Sequence, residues 1–179
     1  MVLQGFFLQN HKFYIDNARL EQWSVLTDLT LVLEKGLSFQ SHSLVLAAVS
    51  TVIQKMLQER TEEKMCLRLG PEVSGLGLSA VLEFAYTGNL TGLDRESLAQ
   101  IQKAALYLGV PRVLELCKEE EDRKKRESDG SKKVEEMKKI SAEEQMEASL
   151  RSIRQLWAEG VGCDVELEAE GIVYHGKEI

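Results

Sequence analysis

Residues 28–50 read DLTLVLEKGLSFQSHSLVLAAVS. An Asp opens an apolar, β-branched run, and Glu34-Lys35-Gly36 supplies a turn containing glycine. A second run then leads into an almost wholly apolar stretch that lacks strand alternation. This order predicts two antiparallel strands joined by a hairpin and followed by a buried helix. The chain then begins the same unit again: residues 162–179 read GCDVELEAEGIVYHGKEI. Asp164 matches Asp28, Gly171 matches Gly36 and Tyr174 matches Phe39, once Lys35 is counted as a one-residue insertion. The unit is started twice and continued once.

Outward from the first hairpin the pattern is helical. Residues 17–26, NARLEQWSVL, place Leu20, Trp23 and Leu26 on one side of a short helix ahead of it. After Ser50, Val52, Ile53, Met56 and Leu57 mark a further helix, and MCLRL is a short strand stopped by Gly70-Pro71. Leu78, Val81, Leu82 and Ala85 share one helix face, which ends at Thr87-Gly88, with Gly88 as a left-handed C-cap. Asp94 caps a helix in which Leu98, Ile101, Ala105 and Leu108 recur. Gly109 ends that helix, Pro111 opens the next, and Val113, Leu114, Leu116 and Cys117 face the core.

From Lys118 to Lys139, 17 of 22 residues are charged, nine positive and eight negative. Such a stretch is an exposed helix extension or a disordered linker, broken near Ser128-Asp129-Gly130. Beyond it, Ser141-Ala142-Glu143-Glu144 forms a capping box. Met146, Leu150, Ile153 and Trp157 then step along one face of a helix that Gly160 stops.

The totals narrow the function classes. At 179 residues there is room for one domain and an appendage, and 44% apolar with 6% aromatic residues suits a helical core. The net charge of −7 gives a phosphate backbone nothing to bind, so nucleic acid is not an expected partner. No apolar run is long enough to span a membrane, and the N-terminal MVLQGFFLQN lacks the basic region of a signal peptide. Cys66, Cys117 and Cys163 show no metal-ligand or disulfide spacing and suit a reducing compartment. Ser41-His42-Ser43 is no triad, because neighbours on a helix point apart, and no phosphate-cradling loop occurs. No catalytic, cofactor, metal or small-molecule site is expected, and the chain is read as no enzyme.

Four stretches, in order, resemble the BTB/POZ domain over Asn17 to about Lys125. These are the Asp28-opened hairpin with its F-x-x-H and apolar helix, then VIQKML, EFAYTGNL and ALYLGVPRVLELCKEE. Asp28, His42, Phe84, Tyr86 and Gly88 stand at the signature positions. The second start, from Leu150, resembles the opening of the domain in kelch-like proteins. The resemblance implies an α+β fold, a helical core with a small mixed sheet, followed by a charged helical linker and an incomplete second BTB start. The expected divisions are an extension (1–16), the BTB/POZ domain (17–125), the linker (126–140) and the partial second copy (141–179), as in a two-BTB or kelch-like protein cut short.

The resemblance also implies partners. Similar proteins homodimerise through the first helix, here Leu20, Trp23 and Leu26, and GFFLQ would be an exchanged strand. In the kelch-like branch a cullin-3 scaffold of a RING ubiquitin ligase docks past the ML pair, which here is Met56 and Leu57 with Thr61 and Glu63. Thr61 stands where an apolar anchor is expected. In the transcription-factor branch the Asp pairs with a base after the His, but Ser43 stands there, so Asp28 is expected to accept hydrogen bonds from nearby groups. The expected role is a dimerising adaptor for a cullin-3-type ligase in the cytoplasm. The alternative is a dimerisation module of a transcriptional regulator, which would place it in the nucleus. Residues 126–179 are expected to add little stability, their helix lacking a core of its own.

Overall fold

A computed structural model describes residues 27–34, 36–59, 64–128, 141–163 and 165–176. The opening helix with Leu20, Trp23 and Leu26, the GFFLQ stretch and the loop with Thr61 and Glu63 lie outside the described residues. Strand β1 (Leu29–Val32) pairs antiparallel with β2 (Ser38–Ser41), placing Leu31 opposite Phe39. Its other edge pairs in parallel with β3 (Met65–Arg68), placing Leu29 opposite Met65. The sheet is therefore mixed, in the order β2-β1-β3. A central strand has no edge left for solvent, and Leu29 and Leu31 are fully buried.

Between β2 and β3 run α1 (Ser43–Ala47) and α2 (Thr51–Gln58). Ser50 fastens the start of α2 in two directions. Its hydroxyl accepts the Ile53 N–H at 3.1 Å and donates to the Leu108 carbonyl at 2.5 Å. Helix α3 (Gly75–Thr87) follows β3, capped by Ser74, whose hydroxyl also donates to Gln100 at 2.6 Å. Leu78, Val81, Leu82, Phe84, Ala85 and Tyr86 are all buried, so α3 is covered on nearly every side and forms the centre of the core. Helix α4 (Arg95–Leu108) packs against it and buries Leu98, Ile101, Ala105 and Leu108, and Asp94 caps its first turn.

Helix α5 (Pro111–Ser128) buries Val113 and Cys117 and then continues through the charged stretch to Ser128. Residues 126–128, assigned from the sequence to the linker, are its last turn. Arg112 reaches Glu115 and Glu119 at 2.9 and 3.1 Å, and Arg123 reaches Glu120 at 2.5 Å. The two of these pairs that lie one turn apart, Arg112–Glu115 and Arg123–Glu120, each contribute roughly 0.2–0.5 kcal/mol and support a helix that has left the core.

Helix α6 (Ala142–Ala158) opens on the anticipated capping box. The Ser141 hydroxyl accepts the Glu144 N–H at 3.1 Å, and Glu144 accepts the Ser141 N–H at 2.8 Å. At its other end Val161 N–H bonds the Leu156 carbonyl and Gly160 N–H bonds that of Trp157, the two bonds of a Schellman closure. A separate antiparallel hairpin follows, β4 (Val165–Ala169) with β5 (Ile172–Gly176). Among the described residues it has two strands.

Candidate interaction surfaces

The signature residues form one polar knot where the sheet meets the helices. His42 precedes α1 in extended conformation, yet its side chain does not cap that helix. The cap comes from Asp28 instead, 15 residues earlier: its carboxylate accepts the Ser43 N–H at 2.7 Å and also the Ser43 hydroxyl. Both residues are buried, so the carboxylate is held by hydrogen bonds where water cannot serve it. The His42 side chain turns to Tyr86. Tyr86 Oη accepts the His42 backbone N–H at 3.0 Å and lies 2.7 Å from Nδ1 and 3.3 Å from Ser41 Oγ. The hydroxyl thus stands within hydrogen-bond distance of three groups of the Ser41–His42 corner. Phe84, on the same helix, is 1% exposed and packs the core beneath. Gly88 ends α3 at φ 70°.

At the α2 edge the sequence candidates separate. Leu57 is buried and belongs to the core, while Met56 is partly exposed. Two adjacent positions on a helix lie about 100° apart, and the turn that commits Leu57 and Ile53 to the core leaves Met56 at its margin.

The larger departure is α6. Leu156 is 2% exposed and belongs to the core cluster of the first domain, with Ile153 and Val161 packed at its edge. The helix lies against α1 and α3. Trp157, placed on the apolar stripe from the sequence, is 50% exposed, and the buried positions are Ser149 and Leu156, seven residues apart. The helix, which carries no core of its own, thus borrows a face of the preceding domain. Two glycines permit the approach. A Cβ on Gly88 would lie 2.5 Å from the Ala142 carbonyl oxygen, and one on Gly162 would lie 3.2 Å from side-chain carbons of Leu44 and Leu57. The periodicity signalled an amphipathic helix; the glycine at 162 was the unread sign that it had a surface to meet.

Among the described residues no group of His, Cys, Asp and Glu is placed to hold a metal ion. No helix of the described residues is long and apolar enough to cross a membrane.

Comparison with known proteins agrees with this architecture. The profile of the BTB/POZ domain matches residues 17–125. Human zinc finger protein 131 is 32% identical over 173 residues, covering 93% of this chain and 26% of that protein. The human transcription regulator protein BACH1 is 31% identical over 93 residues, 52% of this chain and 12% of its own length. Kelch-like protein 31 of Danio rerio is 36% identical over 98 residues, 55% and 15% respectively. The chain therefore spans about a quarter or less of the curated relatives it matches. The solved BTB domain of zebrafish PATZ1 superimposes with a TM-score of 0.50 at 22% identity, covering 67% of this chain and 91% of that one. By its profile match and its fold, the chain belongs to the BTB/POZ family, a family of protein–protein interaction modules.

Proposed function

We propose that the chain is a dimerising BTB/POZ module serving as the adaptor arm of a cullin-3-type ubiquitin ligase. Residues 17–125 would form the interacting unit, with 1–16 as an extension, 126–140 as a linker and 141–179 as the start of a second unit. Dimerisation would run through Leu20, Trp23 and Leu26, and the ligase scaffold would dock through Met56, Leu57, Thr61 and Glu63. The observation that carries the reading is the closed state of Asp28. A charged co-repressor pocket needs a base after the histidine, whereas Ser43 stands there, fully buried, with both its donors on the carboxylate.

A second reading, a dimerisation module of a nuclear transcription regulator, is favoured by the similarity to BACH1 and by the 93% of the chain that zinc finger protein 131 covers. A cullin-3 capture assay separates the two. An apolar anchor in place of Thr61 would recover about 1–2 kcal/mol of burial, so Thr61→Leu should strengthen capture roughly five- to thirty-fold, and Met56→Asp should abolish it. No capture by either parent or Thr61→Leu chain, with dimerisation intact, would leave the regulator reading. Trp23→Asp should shift sedimentation toward monomer, because a charge would be buried in an apolar contact.

A further inference from the structure

Helix α6 is built to form without help from the domain it touches. The Ser141–Glu144 box satisfies its first turn and the Val161–Leu156 closure satisfies its last, both from residues within the segment itself. Its grip on the domain is narrow by comparison. Leu156 alone among its large side chains is fully buried; Ile153 sits at the margin, Trp157 is half exposed, and the other fully buried side chain is the small polar Ser149. The domain side supplies a groove of matched shape. One end is the Gly88 terminus of α3, where the missing side chain admits the Ala142–Gln145 backbone turn, and the other is the Leu44–Leu57 wall that receives Gly162.

A self-capped helix, seated by one large side chain between two glycine contacts, has the anatomy of a bound helical ligand. Between Ser128 and Ser141 lie twelve residues (129–140), whose contour reaches about 40 Å.

We propose that the groove between α1 and the Gly88 end of α3 is a helix-docking site, held in cis by α6, and that a second copy's α6 takes the same seat when two chains exchange tails. The inference stands apart from ligase binding, and a failed cullin capture leaves it untouched. A tethered helix faces its groove at an effective concentration in the millimolar range, so the intact chain resists a free competitor. Exchanging an identical element between two copies adds no new contact type and costs little.

The test uses a fluorescent peptide of residues 141–163 and three full-length chains: parent, Leu156→Asp and Gly162→Val. Leu156→Asp removes the seated side chain, and Gly162→Val drives branched carbons into Leu44 and Leu57 without altering the α6 face. Both should empty the groove and bind the peptide at least tenfold tighter than the parent, while a peptide carrying Leu156→Asp should bind none of them. Peptide binding that is equal in all three chains, or absent from both variants, would overturn the proposal. So would loss of cooperative unfolding in both variants, because the domain would then be unable to stand with its groove empty.

Discussion

The Tyr86 hydroxyl accepts the backbone N–H of His42 and lies 2.7 Å from that residue's Nδ1, so one phenol fixes both the path of the chain and the ring at the β2–α1 corner. The two rings meet edge to face at 5.9 Å. Since Tyr86 sits on α3 at 3% exposure, the corner is nailed to the centre of the core. Tyr86→Phe keeps the ring and strands a partly buried N–H and a ring nitrogen. It should cost about 1–3 kcal/mol in urea unfolding, with the slope on urea unchanged.

Leu156 joins a core assembled by residues 29–117, so shortening it should be felt by the whole domain. Leu156→Ala should lower stability by about 2–5 kcal/mol at full burial, toward the lower end here because the site lies at the edge of the core. Trp157→Ala, one residue on and half exposed, should cost much less. Thermal unfolding of the two variants checks the order, and equal effects would mean that α6 is rotated from the position described.

The two hairpins share a pattern and differ in surroundings. β1 is bonded on both edges, whereas among the described residues β4 is bonded only to β5, whose Ile172 and Val173 are 56% and 51% exposed. A lone two-stranded ribbon is marginal in water. Amide exchange at residues 165–173 should be much faster than at 29–32. Matching protection in both would show that β4–β5 has found a covering surface.

Asp94 caps α4 through the N–H groups of Ser97 and Glu96 at 2.8 and 3.0 Å. The Ser97 hydrogen bonds, backbone first and then side chain, hold its carboxyl below the usual 3.8 against a small opposing cost of desolvation. A depressed carboxyl contributes stability that is fully present above 3.8 and is lost as the pH falls through the lower folded value. Asp94→Asn keeps a neutral cap. Its stability difference from the parent should therefore be constant above about pH 5 and shrink below 3.8. A gap that widens on acidification would reverse the assignment.

No disulfide joins the three cysteines, and their environments differ. Burial, with a smaller contribution from the Glu121 charge, pushes the Cys117 thiol up to about 11, while Cys66 is exposed on β3. At pH 8 a thiol reagent should modify Cys66 in the native chain and reach Cys117 only on unfolding, which peptide mass mapping would resolve.

Much of this was legible in the residues themselves. The Asp28 hairpin, the Ser141 capping box, the left-handed stop at Gly88 and the 3-4 spacing of α4 are local signals, because turns, caps and periodicity are settled within a few residues. That β3 returns parallel beside β1 was not local, since strand direction depends on how far α1 and α2 carry the chain before it comes back. Nor was the service that Asp28 renders to Ser43, because a cap supplied from 15 residues away needs the hairpin closed first. Adjacent residues make the limit plain. The sequence offers Leu156 and Trp157 as neighbours on an amphipathic helix, and Met56 and Leu57 as neighbours on another. Periodicity fixes that a stripe exists to within about 100°, one residue's rotation. Which member of each pair turns inward was decided only in three dimensions, where the approach of Gly162 to Leu44 and Leu57 sets the angle at which α6 lies on its neighbours.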